Sequence, residues 1–459
     1  MVPADQDSRD YNVNFDKITN VLGYTADYSI EAGSREIKEK ILDNTIKDTE
    51  DTKYYSIKTI KNLLDTPANV TGKTIRSDFL PFALPTISEN EEKEVIDTLR
   101  SGWITTGPKT KLFEEKIRRY TGIKNVVALN SCTGALHLAL AALDIKQGDE
   151  VITTPITWPS TASMIIHVGA KPVFVDINRE TLNIDVTKIE EKITEKTKAI
   201  IPVDLSGQPC QMDEIMEIAK KHNLKVISDS AHSIGAQYKG RNVGTIADIT
   251  CFSFYTIKNI TTGEGGALLT NDDAIAEKVR ILSLHGLSAD AWKRYDKEVP
   301  TWNLLQPGFK YNMLDLQAAI GLHQIDKLDS FIKTRESYTN IYEKEFENLD
   351  GIILPKSIDN IKHAKHLFQL VLDTDELKID RAEFMEAMKK ENIGTGIHFH
   401  SLVGTDYYAK TYGYKEEDFP NATFIGKRLV SIPLYPKMTT DDLRNVIDAV
   451  KKIIKYYKK

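Results

Sequence analysis

Lys258 is the only charged residue in SFYTIKNITTG, residues 253–263. Ser253 puts a hydroxyl five positions ahead of it, and a Gly/Thr-rich turn follows. The preceding ITCFSF, residues 249–254, is apolar and β-prone and reads as a buried strand. A lysine at such a strand end can lose its proton to burial and act as a nucleophile. Taken alone, the segment also fits a surface lysine beside a glycine turn.

Three further segments ask for the same chemistry. In NSCTGALHLALAAL, residues 130–143, a strand ends, a small-residue turn follows and an apolar helix starts near Gly134. Free N–H groups and the helix dipole there suit a phosphate, with Thr133 adding a hydroxyl, although an ordinary capped turn reads the same way. In TPITWPSTASMI, residues 154–165, Trp158 follows a strand end, where its indole can stack on a flat ring or plug a core. In KVISDSAHSIGA, residues 225–236, an apolar strand runs straight into Asp229. A carboxylate at that depth needs a positive partner or several donors, unless it caps a helix. A protonated pyridine nitrogen would supply the charge, and His232 could orient the carboxylate or face the ring. Each signal is weak and their conjunction is strong. Phosphate nest, aromatic stacker, buried acid and nucleophilic amine are together the handles of pyridoxal 5′-phosphate (PLP).

The elements that must position these groups alternate along the chain. Strand-like runs are expected at 125–130, 150–154, 171–176, 199–204, 225–229, 248–254 and 266–271. Helical runs such as MDEIMEIAKKHN, residues 212–223, separate several of them. That pattern predicts an α/β fold with a mostly parallel sheet covered on both faces and a ligand at the strand carboxyl ends. The first helix of this region, within 84–102, has a cap-like Ser88 and apolar positions at Val95, Ile96 and Leu99. Residues 79–340 are thus expected to form a large PLP-binding domain. Residues 341–459 change character and predict a smaller α+β domain, with strands at 366–372 and 395–400 and helices at 381–392 and 441–457. Residues 1–78 are polar and charged, with too little apolar content for a large core.

The bounds agree with a soluble enzyme. The 459 residues are too many for one ordinary core, and 41% apolar with 27% charged content is globular. A net charge of −6 gives no nucleic-acid footprint. Cys132, Cys210 and Cys251 are odd in number and widely spaced, which argues against disulfides or zinc and for a reducing cytoplasm. No apolar run reaches membrane-spanning length and no signal-peptide core is visible. The sequons at Asn69, Asn259 and Asn421 read as chance matches. His398 and His400 would share a strand face, and His363 and His366 lie three apart, but neither pair has a third ligand, so no metal is expected. GEGG, residues 263–266, fits neither the P-loop nor the dinucleotide fingerprint.

The segments SDSAHSIGA (228–236), FSFYTIKNITTGEGG (252–266) and PGFKYNMLDLQAAIG (307–321) resemble the DegT/DnrJ/EryC1/StrS sugar aminotransferases, which have the aspartate aminotransferase (type I) fold. The resemblance covers residues 79–459. It implies that Lys258 carries the cofactor and shuttles the proton, that Asp229 pairs with the pyridinium and that Trp158 stacks on the ring. By the same resemblance Cys132, Thr133 and Ser253 hold the phosphate, and Gln208 contacts the ring-hydroxyl side. Asn312 lies in a loop that, in the family, reaches the neighbouring subunit's phosphate, which implies a homodimer with its active site at the interface. Lys310 and Asn312 stand where many relatives have Asn and Arg, and Cys132 replaces a common small residue. SGWITTGPKTKLFEE (101–115) and IGTGIHFHS (393–401) look most like the UDP-4-amino-4-deoxy-L-arabinose aminotransferase branch. That implies L-glutamate as donor, a UDP-4-ketosugar as acceptor, and Thr105, Thr106 and His398 at the substrate. Family members that dehydrate at C3 carry histidine at the position of Lys258, so a nucleotide-sugar dehydratase is the alternative that this lysine argues against. A non-enzymatic regulator on the same fold is a further alternative. DYNVNFDKITNVLGYTADYSIEAGSREIKEKI, residues 10–41, resembles the C-terminal tail of the NAD-dependent nucleotide-sugar epimerases and dehydratases. Tyr54 and Lys58 have that family's Tyr-x-x-x-Lys spacing but follow the tail-like segment, and read as chance.

Overall fold

A computed structural model describes residues 74–288 and 303–459, so the segment with Tyr54 and Lys58 lies outside the described residues. Helix α1 (Glu89–Ser101) starts at Ser88, whose N–H and hydroxyl both donate to Glu91. Its apolar Ile96 and Leu99 are 46% and 55% exposed, while the buried face carries Glu91 and Thr98. Helix α2 (Pro108–Thr121) follows a Gly–Pro start and buries Phe113 and Ile117.

The alternating pattern then begins: β1 (Asn125–Leu129), α3 (Cys132–Ala142), β2 (Glu150–Thr153), α4 (Pro159–His167), β3 (Lys171–Phe174) and β4 (Thr197–Ile201). It continues with α5 (Met212–Lys221), β5 (Lys225–Asp229), the short β6 (Gln237–Tyr238) and β7 (Arg241–Asn242), β8 (Ile249–Ser253), β9 (Gly266–Thr270) and α6 (Asp273–Ser283). Seven strands make one sheet in the order β1-β9-β8-β5-β4-β2-β3. Neighbours from β3 to β8 run parallel, and only β9 is antiparallel to its neighbours β8 and β1. The strands are short and buried almost throughout, as a sheet covered on both faces requires. One apolar layer, with Leu136, Leu140 and Ile165, packs against strand residues such as Ile227 and Leu268. Another joins Phe113 and Ile117 to Phe252 and Leu269.

The long helix α7 (Asp315–Phe346) leads to β10 (Ile352–Ile353), β11 (Ile361–Lys362), β12 (Phe368–Leu372) and α8 (Arg381–Lys390). The chain closes with α9 (Asp406–Tyr412), α10 (Pro420–Arg428), β13 (Leu429–Ile432) and α11 (Thr440–Tyr457). Here β12 lies between β10 and β13 in an antiparallel sheet. Phe346, Leu370, Val430, Val446 and Val450 form its core. The strand expected over 395–400 is absent. Of that segment only Gly396 pairs, through two backbone bonds with Ser431, and the residues after it turn toward the large sheet. His398 and His400 therefore share no strand face. His398 Nδ1 meets Ser431 Oγ at 3.0 Å, whereas His400 Nδ1 accepts from Arg381 at 2.9 Å near the surface.

Candidate active site

Parallel strands end on one side of a sheet, and the loops that leave them there converge. Five such loops, after β1, β2, β4, β5 and β8, meet the 398–399 segment around a cavity of about 440 Å³. That is the size of a small-molecule site. Cys132, Thr133, Trp158, Asp229, His232, Ser253, Lys258 and His398 all line it.

The turn after β1 is built to expose backbone donors. Ser131 caps α3 by accepting from Gly134 N–H at 3.0 Å, and its carbonyl takes the Ala135 N–H. The N–H groups of Cys132 and Thr133 then have no partner among the described residues. Gly266 approaches this turn from β9, and a Cβ there would stand 2.4 Å from the Cys132 nitrogen. Only glycine lets the two backbones close, leaving the donors and the Thr133 and Ser253 hydroxyls around one space.

Asp229 ends β5 and is 5% exposed. Its Oδ2 accepts from Thr161 Oγ at 2.6 Å, and its Oδ1 from Ala231 N–H at 3.3 Å. Thr161 in turn meets Thr157 at 2.7 Å. Burial pushes the carboxyl above its ordinary range, against these donors and the charge of Lys258. Among the described residues no arginine lines the cavity, and Lys258 is its only lysine. Behind Asp229 lies a second buried acid, Asp204, which burial pushes up to about 6 against donors from Ser233, Cys210 and Ser230.

Lys258 follows β8 by one tight turn, its N–H bonded to the Tyr255 carbonyl at 2.9 Å. Its neighbour Asn259 is pinned from both ends, donating to the Ala364 carbonyl at 2.8 Å and accepting from His366 Nδ1 at 3.1 Å. Burial pulls the Lys258 amine down to about 8, while Cys132 and Asp229 pull it back up. An amine poised there has an appreciable unprotonated fraction at neutral pH. Trp158 stands at the start of α4, 61% exposed, with its ring 5.8 Å from Phe399. Such an indole has a free face. His232 is held neutral by burial, and its ring lies 4.5 Å from that of His366.

These residues fit PLP on their own chemistry: a buried carboxylate with no cation in contact among the described residues for a pyridinium, adjacent free N–H groups for a phosphate, and a neutral-leaning amine for an aldehyde. Four residues expected at the site do not reach this cavity. Gln208 points away, its amide donating to the carbonyls of Thr181 and Lys356 and accepting from Ile358 N–H at 3.0 Å. Two loop backbones need those bonds, and they consume the side chain. Thr106 and Asn312 form a separate cluster, with Asn312 Nδ2 donating to Thr106 Oγ at 2.6 Å. Thr105 joins it through its carbonyl, which accepts from Asp315 N–H at 3.1 Å. Sequence reasoning missed Thr157, Thr161 and Phe399. For Thr161 the signal was present, since it stands one helical turn past Trp158. Among the described residues no group of three metal-ligating side chains gathers, and no helix is long and apolar enough to cross a membrane.

A family model described as DegT/DnrJ/EryC1/StrS aminotransferase family matches residues 85–451. The spore coat polysaccharide biosynthesis protein SpsC of Bacillus subtilis is 49% identical over 383 residues, 83% of this chain and 98% of its own. Among solved structures, Spr1654 of Streptococcus pneumoniae in its PMP-form has a TM-score of 0.77 and 34% identity, covering 82% of this chain and 99% of that one. Its PLP-form matches with a TM-score of 0.76. Helicobacter pylori PseC, an aminotransferase involved in the biosynthesis of pseudoaminic acid, has a TM-score of 0.77 and 27% identity, covering 83% and 100%.

Proposed function

Since the chain belongs to the DegT/DnrJ/EryC1/StrS aminotransferase family and is a PLP-dependent sugar aminotransferase, we propose that it moves the amino group of L-glutamate onto a nucleotide-linked ketosugar, a UDP-4-ketosugar, for amino-sugar and cell-surface polysaccharide synthesis. The observation that carries the reading is the pairing of Lys258 and Asp229 on one cavity, the first poised to lose its proton and the second lacking a cation in contact.

When bound, PLP supplies an aldehyde for amines and a pyridinium that draws electrons from the substrate carbon. Asp229 holds the positive charge at the ring nitrogen. The N–H groups of Cys132 and Thr133, with the Thr133 and Ser253 hydroxyls, hold the phosphate. Trp158 covers one face of the ring and excludes water there. The Lys258 amine would move a proton off the donor's reacting carbon in one half-reaction and onto the sugar's reacting carbon in the other, the cofactor's former aldehyde carbon taking the proton in the first and giving one up in the second. His232 and His398 line the wall where substrate enters.

The chain works as a homodimer in this reading. Thr105, Thr106 and Asn312 are built together yet lie away from their own cavity, which supports a role at the partner's phosphate and substrate. The exposed Ile96 and Leu99 supply apolar area for such a contact. Residues 79–340 serve as the cofactor domain and 341–459 as the smaller domain. The first 78 residues are an epimerase-tail-like extension without chemistry of their own. The branch we assign is that of the UDP-4-amino-4-deoxy-L-arabinose aminotransferases, and the site of action is the cytoplasm.

The test supplies purified protein with PLP, L-glutamate and UDP- or dTDP-4-ketosugars and follows 2-oxoglutarate and aminated sugar. Both should form in equal amounts, and Lys258→Ala should lower turnover by about 10³-fold or more. Sugar dehydration without 2-oxoglutarate would instead mark a lyase, and unchanged turnover in the variant would end the proposal.

A further inference from the structure

His232 is reached from outside the cavity by a run of side chains that belongs to neither cofactor nor substrate. Its Nδ1 accepts the backbone N–H of Ser206 at 3.2 Å. A neutral imidazole that accepts at Nδ1 carries its proton on Nε2. That Nε2 has no protein acceptor among the described residues, and its ring lines the cavity. The ring is therefore a donor whose direction is set by Ser206.

Ser206 can aim its N–H this way because its backbone sits at φ 59°, ψ 5°. That left-handed region is uncommon for residues other than glycine and persists where the surroundings hold it. The surroundings come from the smaller sheet. Ser206 Oγ donates to Gln369 Oε1, and Gln369 Nε2 donates to the carbonyl of His398. Gln369 is a buried residue of β12. Two backbone bonds of 2.9 Å close the seam, Ala364 N–H to Gly207 and His366 N–H to Ser206. The next residue, Gly207, leaves no room for slack, since a Cβ there would stand 2.9 Å from the His232 carbonyl oxygen.

We propose that Gln369 is a positioning residue for His232: by holding Ser206 in its left-handed turn it fixes the Nε2–H tautomer, and by holding His398 it sets the 398–399 part of the cavity wall in register with that donor. One amide thus couples the smaller sheet to the catalytic cavity. The kinetic part rests on the transamination reading, whereas the tautomer belongs to the protein alone.

The test is ¹⁵N-histidine NMR on the full-length protein without cofactor, with His232→Gln identifying the signal. The parent protein should show His232 protonated at Nε2 and bare at Nδ1. Gln369→Met keeps the side-chain volume and removes both bonds. It should give a mixture of tautomers and lower kcat by about tenfold, with KM for glutamate held within about twofold. Ser206→Gly keeps the left-handed backbone and deletes only the hydroxyl, and it should move the tautomer the same way if Gln369→Met does not fold. A His232 tautomer unchanged in every variant that folds overturns the proposal. A shifted tautomer in a protein without glutamate-dependent turnover overturns the proposed function and leaves this positioning role standing.

Discussion

Two buried carboxylates in this chain have opposite fates. Glu91, in the seam between α1 and α7, is 1% exposed. It accepts from Ser88 N–H at 3.0 Å, Ser88 Oγ at 2.6 Å, Gln324 at 2.8 Å and Lys327 at 2.6 and 2.8 Å. Burial pushes its pKa up, but Lys327 and these donors win and bring it down to about 2. Asp229 is also almost out of contact with solvent, yet among the described residues it has only Thr161 and the Ala231 N–H, and there burial wins. The same chemistry, almost out of contact with solvent in both places, gives a saturated acid at the shallower position and an incompletely paired one at the deeper. A saturated acid holds elements together, whereas an unsaturated acid facing a cavity is available to a ligand's positive charge.

The largest effect should come from removing each acid in turn. Asp229→Asn should lower turnover by about 10²–10³-fold, since the pyridinium loses its counter-charge. The melting midpoint of the cofactor-free protein should hold or rise, because a buried charge without a full partner has gone. Glu91→Gln should do the reverse. It strands the Lys327 ammonium and should cost about 3 kcal/mol in denaturant unfolding, with kcat of the folded enzyme within about twofold. The two acids should also answer pH oppositely. Glu91 has a lowered pKa, so its contribution is full above its ordinary 4.5 and is lost as pH falls toward about 2. Asp229 has a raised pKa, so its cost to the fold appears as pH rises above 3.8 and through its folded value. A destabilised Asp229→Asn with a neutral Glu91→Gln would break the comparison.

A smaller effect concerns the amine opposite Asp229. With Lys258 near 8, the free amine fraction falls about tenfold for each pH unit below that value. Capture of PLP by cofactor-free protein, followed by its visible absorbance from pH 6 to 10, should therefore accelerate with pH and level off above about 8. Levelling only near the ordinary lysine range would mean that burial does not act on this side chain.

The contrast also explains what could be seen in advance. Lys258, Asp229, Trp158 and the Ser131–Thr133 turn stood out because each is a polar or aromatic group at the end of an apolar run, which a solvated loop does not need. Their convergence followed from the parallel sheet. Gln208 was misplaced because its surrounding motif says nothing of the carbonyls at Thr181 and Lys356 that claim its amide. The 395–400 segment alternates like a strand, yet its only backbone pairing is the Gly396–Ser431 pair, and β13, where Ser431 lies, is the four-residue run LVSI, too short to mark a partner strand by itself. Glu91 and Lys327 lie 236 positions apart, so no local pattern shows that one neutralises the other. Local chemistry was legible, and long-range pairing was not.

The finest test asks how much of the unsaturation of Asp229 is tuned by its one short bond. Thr161 Oγ donates to Oδ2 at 2.6 Å and stabilises the charged form. Thr161→Val keeps the shape and deletes that donor. Burial would then act with less opposition, and the carboxyl would rise further. A loss of about 1 kcal/mol of charge stabilisation predicts a kcat lowered roughly fivefold. Thr161→Ser restores the hydroxyl and should recover most of the rate. If Thr161→Val matched the parent at every pH, Asp229 would be held charged by the ligand alone, and the contrast with Glu91 would lie in the cavity rather than in the donors.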